Sequence, residues 1–267
     1  MSSTDPALLM DCADGVAVLR LNRPQALNAF TAELLATLRE TLDRLGAEES
    51  VRAVVITGEG RAFCAGQDLS DPHVAPVPGE APKDIGYLIE HFYAPMARAL
   101  RACRVPTVCA VNGVAAGAGL SLALGCDLVV ASEKASFVLG FNKIGLVPDA
   151  GSTWLLPRLV GRARAMELAL LGDKLSATDA LAWGLINRCV APDALLEEAK
   201  ALAVRLAVLP TRALVRTRQL LDEAQTLSFG EALKAEGVAQ SELGFAHDYR
   251  EGVEAFMQKR APRYTDR

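Results

Sequence analysis

The chain has 267 residues, 51% of them hydrophobic and 22% charged, and a formal net charge of −4. That length fits one large domain with a substantial core. The charged fraction is too high for a membrane protein, no apolar run nears the roughly 18 residues a span requires, and the acidic balance gives no electrostatic reason to expect nucleic acid.

The first residues, MSSTDPALLMDCADG, lack a basic segment followed by an apolar one, so no secretory signal is expected. Residues 16–22 (VAVLRLN) read as a strand ending in the turn Arg23–Pro24. Residues 30–45 have helical spacing, with Thr31 as a cap and Leu34, Leu35, Leu38, Leu42 and Leu45 on one face. Residues 51–57 (VRAVVIT) form a buried strand, and residues 70–82, with four prolines, a loop. A long helix over residues 83–103 is expected to kink at Pro95. Strands follow at 106–111 and 127–131, separated by a Gly/Ala-rich stretch, 112–119, that opens a short helix. Beyond about residue 190 the apolar spacing is helical throughout, over 194–209, 211–227, 229–243 and 248–259. Alternating strands and helices followed by helices alone predict an α/β core, residues 1–195, carrying an all-helical region, 196–267.

The six cysteines include no C-x-x-C pair and read as free thiols in a reducing cytoplasm. Only three histidines occur, His73, His91 and His247, and no two have ligand spacing, so no metal site is expected. Two loops carry candidate chemistry: RAFCAGQDL, residues 61–69, and VNGVAAGAGLSLALGCD, residues 111–127. Each follows a buried strand with small residues that leave backbone N–H groups uncovered, and two such groups aimed at one spot make an oxyanion hole. Both loops are equally readable as steric necessities of a tight turn. A dinucleotide fingerprint fails because Leu122 stands where a third glycine belongs, and no G-K-[ST] triplet marks a phosphate loop. A nucleophile elbow at Ser121 lacks both the preceding strand and a suitable histidine.

The segment KIGLVPDAGSTWLLP, residues 143–157, places one carboxylate, Asp149, among apolar residues. It reads either as a helix N-cap or as a proton-transfer group whose pKa burial among Leu146, Val147 and Trp154 would raise.

Several stretches in register, LNRPQALNAF, FCAGQDL, VNGVAAGAG, IGLVPDAGSTWLLPRLVG, LSATDALAWGLINRCV and YREGVEAFMQKRAPRY, make the chain resemble the crotonase, or enoyl-CoA hydratase/isomerase, superfamily from about residue 16 onward. The resemblance implies a spiral of ββα turns, a helical C-terminal trimerisation region, homotrimers or dimers of trimers, and acyl-CoA thioesters as substrates, with coenzyme A part of the substrate and no separate cofactor. It implies an oxyanion hole from the N–H groups of Gln67 and Ala118. The coenzyme would lie along Arg23, Ala26 and Leu27 and along Ala65, Asp68 and Leu69, with Phe256 and Lys259 at its nucleotide end. Gly117, Ser121, Phe141 and Asn142 would line the acyl site. Hydratases of the family carry two catalytic glutamates, where this chain has Ser121 and Phe141. Asp149 matches the working aspartate of other members, among them the ring-opening isomerases of phenylacetate breakdown and the aromatic-acyl dehalogenases. An isomerase of fatty-acid enoyl-CoA and a non-catalytic scaffold or RNA-binding paralogue are the alternatives.

Overall fold

The computed structural model describes residues 5–266. Strands β1 (Leu8–Ala13) and β2 (Val16–Leu21) form an antiparallel hairpin and lead into helix α1 (Ala32–Ala47). The hydroxyl of Thr31 accepts from Leu34 N at 3.2 Å, and the five leucines expected on the inner face of α1 are all buried. At about 1.5–3 kcal/mol each, those side chains are the main reason this helix stays on the core.

The chain then repeats one pattern three times: a long strand, a three-residue strand and a helical segment. The first turn comprises β3 (Ala53–Gly58), β4 (Ala62–Cys64) and the helix α2 (Ile85–Leu88), which continues through a π turn (Ile89–Tyr93) into α3 (Ala94–Arg101). The second comprises β5 (Thr107–Val111), β6 (Val114–Ala116) and α4 (Ala118–Gly125). The third comprises β7 (Leu128–Ser132), β8 (Ser136–Val138) and α5 (Ser152–Leu171). After β9 (Leu175–Ser176), α6 (Ala177–Ala182) and β10 (Arg188–Val190) come four helices: α7 (Leu195–Ala207), α8 (Thr211–Glu223), α9 (Phe229–Gly244) and α10 (His247–Gln258).

The long strands build a sheet of order β1-β2-β3-β5-β7-β10 and the short ones a second sheet, β4-β6-β8-β9. Each repeat adds one parallel strand to both sheets, with Ala62 beside Val114 and Val114 beside Ser136 in the small one. This is the expected ββα spiral. Its consequence for function is that loops following β4, β6 and β8 stack side by side.

Two expectations change. The long helix is not regular α-helix up to Pro95. Because Pro95 cannot donate to the carbonyl of His91, the helix takes up the defect as the π turn immediately before it. The boundary at residue 195 also shifts, because α7 buries Leu195, Ala199, Leu202, Ala203 and Ala207 against the large sheet and belongs to the core. The helical layer beyond the sheet therefore begins at α8, which Arg218 ties back through an ion pair to Asp127 at 3.0 Å.

Candidate active site

The loop after β4 is clamped by Phe30. Phe30 N donates to Gly66 O at 2.7 Å and Asp68 N to Phe30 O at 2.8 Å, while Ala65 N donates to Leu27 O. Residue alternation along this extended pairing turns the Gln67 N–H to the opposite side, where it has no acceptor among the described residues. The loop after β6 ends at Gly117 (φ +52), and Ala118 opens α4, so its N–H is one of the donors a helix start leaves unpaired. Glycine brings these two backbones into contact. A Cβ on Gly66 (φ +91) would lie 2.9 Å from Ala116 O and 3.6 Å from Ala118 N, and one on Gly119 would lie 2.4 Å from Cys64 O. Two N–H groups thus lie on touching loops, one of them at the start of the buried helix α4. The Phe141 ring packs over Gly117.

Asp149 lies at the entrance to α5, and its side chain caps nothing. The N-cap is Gly151 (φ +90), and no side chain bonds to the first turn. The cap reading is thereby excluded. Instead the main-chain carbonyl of Asp149 accepts three donors: Ser121 Oγ at 3.0 Å, Ser152 Oγ at 2.9 Å and Ser152 N at 3.0 Å. Ala150 adopts φ +49, a conformation non-glycine residues seldom take. Three hydrogen bonds thus fix the backbone, while the carboxylate atom Oδ1 is buried without a hydrogen-bond partner among the described residues. That burial pushes the Asp149 carboxyl up to about 6. Direction and cause are as expected, but Leu146 and Val147 do not supply the burial, since both are exposed; Trp154 is half-buried, flanked by Arg101 and Arg158. The Ser121 hydroxyl also reaches Gly117 O at 3.4 Å, so one side chain joins the second loop to the Asp149 segment.

The profile of the enoyl-CoA hydratase/isomerase family matches residues 11–267. Among curated relatives, the 1,2-epoxyphenylacetyl-CoA isomerase of Escherichia coli (strain K12) is 48% identical over 97% of this chain and 98% of its own. A probable enoyl-CoA hydratase of Rhodobacter capsulatus is 41% identical over 96% and 97%. A crystal structure of a putative enoyl-CoA hydratase/isomerase from Mycobacterium abscessus superposes with a TM-score of 0.90 at 37% identity, covering 98% of this chain and 100% of that one. The chain belongs to the enoyl-CoA hydratase/isomerase family. It is an enzyme of the acyl-CoA isomerase and hydratase class, and none of its described helices is long and apolar enough to cross a membrane.

Within this family frame the other expected site residues fall into three groups. Arg23 and Asp68 are joined to each other at 2.8 Å, which ties the turn after β2 to the loop after β4. The Ser70 hydroxyl, and after it Arg23, hold the Asp68 carboxyl below the usual carboxylate range. Ala26 and Leu27 line the same turn, where Leu27 and Asn28 both have positive φ. Leu69 is exposed beside it. Gly117, Ser121 and Phe141 meet at the second loop. Asn142 is exposed, and its amide donates to Leu170 O at the far end of α5 at 2.8 Å. Phe256 and Lys259 sit on the exposed side and at the left-handed C-cap of α10.

Sequence reasoning missed Ser152, Phe30 as a clamp, Asn28 and Tyr93. The Asn28 amide, fully buried, donates to Glu59 O and Ala62 O and accepts from Arg23 N, which holds the left-handed turn. Its one legible signal was the tolerance of asparagine for that conformation. Among the described residues, His247, Asp248 and Asp266 have metal-ligand spacing, but the Asp248 carboxylate accepts the N–H groups of Thr265 and Asp266 and so latches the tail.

Ser121 acts on Asp149 through its main chain. Ser121→Ala is expected to lower kcat about tenfold by loosening the carboxylate's placement. Its KM should be close to that of wild type, and steady-state kinetics read both.

Proposed function

We propose that the protein is an acyl-CoA isomerase in which Gln67 N–H and Ala118 N–H stabilise a thioester enolate and Asp149 carries the proton. The observation that supports this most is the buried, unpartnered Asp149 Oδ1 at the end of a segment bonded to the oxyanion loop. A carboxyl with a pKa of about 6 is better matched to taking and returning a proton near neutrality than one at the ordinary value of about 4. With Ser121 and Phe141 at the two positions where hydratases hold glutamates, a two-carboxylate addition of water is disfavoured.

The substrate we favour is 2-(1,2-epoxy-1,2-dihydrophenyl)acetyl-CoA, converted to the oxepin-CoA of phenylacetate catabolism. The hole draws charge from the thioester carbonyl and acidifies the adjacent carbon. Asp149 takes that proton, and the C–C bond shared by the epoxide and the six-membered ring opens. The enolate electrons form an exocyclic double bond and the proton returns to a ring carbon, so the product is an isomer of the substrate. The same parts would move a fatty-acid enoyl-CoA double bond from the 3,4 to the 2,3 position, the second reading. Turnover measured on a panel of aromatic and aliphatic acyl-CoAs separates the two. Aliphatic 3-enoyl-CoA turning over faster than the epoxide would reject the first, and no acyl-CoA binding by calorimetry would reject both in favour of a scaffold. Six free cysteines fit a reducing cytoplasm.

We also propose that α8–α10 assemble trimers, alone or paired. Phe229, Phe245 and Phe256 are 80%, 90% and 86% exposed in the single protomer, and α9 buries only Ala239. Exposed aromatic side chains of this kind are what an interface between copies would cover. Sedimentation at micromolar concentration should show trimers or hexamers; a monomer contradicts the assignment.

A further inference from the structure

The helix α2–α3 contains a feature that the proposed chemistry has not used. Its buried side chains are Leu88, Tyr93, Met96 and Leu100, a spacing of five, three and four. A regular helix would turn Phe92 inward after Leu88; the extra residue of the π turn turns Tyr93 inward instead. Tyr93 is 1% exposed and stands edge-on to Phe30, with ring centroids 6.0 Å apart. A phenylalanine would fill that space equally well, so the hydroxyl is the part that demands an explanation. It donates to Gln67 Oε1 at 2.7 Å, and Gln67 Nε2 donates in turn to Asp68 O at 3.1 Å. Burial, followed by the charges of Asp149, Cys64 and Asp71, keeps the phenol protonated far above its ordinary value, so it remains a donor at any working pH.

We infer that Tyr93 is a positioning residue, delivered by the π turn, that aligns the Gln67 N–H of the oxyanion hole by holding the Gln67 side chain. Phe30 N donates to Gly66 O, the carbonyl of the same planar peptide as the Gln67 N–H, so Phe30 sets the direction of that N–H. The Tyr93 bond adds an anchor that limits how far the peptide rocks about this single hydrogen bond. With Oε1 and Nε2 both bonded, the residue is held from its side chain as well as from its backbone, and the N–H keeps its direction before substrate arrives. The inference rests on the reading of Gln67 N–H as an oxyanion donor, and it adds a residue that acts through the Gln67 side chain.

Losing an oxyanion donor outright costs on the order of 10²–10³ in kcat, and misaligning one costs part of that, so Tyr93→Phe is expected to lower kcat about tenfold. KM should stay within about twofold, because ground-state binding is not what the hole supplies. Gln67→Leu, which keeps the N–H and removes the anchor, should show the same loss, and Tyr93→Phe added to it should cost nothing more. Infrared spectroscopy of a bound acyl-CoA with an isotope-labelled thioester carbonyl gives a reading without turnover. The stretch should lie at lower frequency in wild type than in Tyr93→Phe, a difference that a purely structural role would not produce. An unchanged stretch with unchanged kcat overturns the inference, as does an equal further loss in the Gln67→Leu background. Tyr93→Phe active at the wild-type level while Asp149→Asn is inactive would reject this inference alone. A normal carbonyl shift with Asp149→Asn fully active would reject only the proton carrier.

Discussion

Asp149→Asn is expected to give a folded protein that binds acyl-CoA and turns it over more slowly by a factor on the order of 10²–10⁴, the scale of one acid–base group. Asparagine matches the size of aspartate and cannot accept a proton. The three hydrogen bonds that fix this residue go to its main-chain carbonyl and survive the change. In wild type, kcat/KM should rise with pH through about 6 and level off above it, because the carboxylate must be ionised to remove the first proton. The fold should respond in the opposite sense. Burial raises the folded-state pKa above the unfolded one, so the stabilisation that comes from holding the proton is full below about pH 4 and lost as pH passes about 6. At pH 8 the ionised, unpartnered carboxylate is a cost, and Asp149→Asn should be more stable there by on the order of 2 kcal/mol. A variant that is both more stable and inactive is what an active-site charge produces; thermal melts at pH 4 and pH 8 beside the kinetics would show it.

Gly66→Ala should be nearly as damaging by another route. The new methyl would sit 2.9 Å from Ala116 O on a residue whose φ is +91, so the two loops must separate or the turn must change. Either moves Gln67 N–H relative to Ala118 N–H. The expected loss in kcat is on the order of 10²–10³, as for removal of one oxyanion donor. Strain and the forced contact should also cost about 1–3 kcal/mol of stability. Binding of free coenzyme A should change much less, since the Arg23–Asp68 junction is untouched. Calorimetry with coenzyme A beside kcat for an acyl-CoA measures both halves. Wild-type kcat in this variant would mean that the two N–H groups do not act together.

The long elements were legible from the residues because their periodicity is long. Five leucines on one face define α1, and short apolar runs rich in Val and Ala define β3 and β5. The three-residue strands β4, β6 and β8 were not, since no alternation can establish itself in three positions, and these strands set the site loops side by side. Gln67, Ala118 and Asp149 could be named from motifs, but the distances that give them a role come from Gly66 and Gly119, whose close contacts are long-range. Ser121 looked like lining because a hydroxyl's partner cannot be read from a sequence; its partner is 28 residues away. Tyr93 was hidden for a further reason: one inserted residue in a helix shifts which side chain faces inward, and no spacing rule for a regular helix anticipates it. The Asn142 amide shows the same limit as Ser121, since its partner, Leu170 O, is also 28 residues away.

The claim on which everything else depends is that Asp149 removes a proton from the carbon beside the thioester. Phenylacetyl-CoA isolates that step, because it has the acidic carbon and no epoxide to open. Incubated in heavy water with wild-type protein and followed by proton NMR, its methylene signal should disappear as deuterium enters. With Asp149→Asn the signal should persist over the same period. Exchange by the asparagine variant at the wild-type rate would contradict the account, whatever the variant did to turnover.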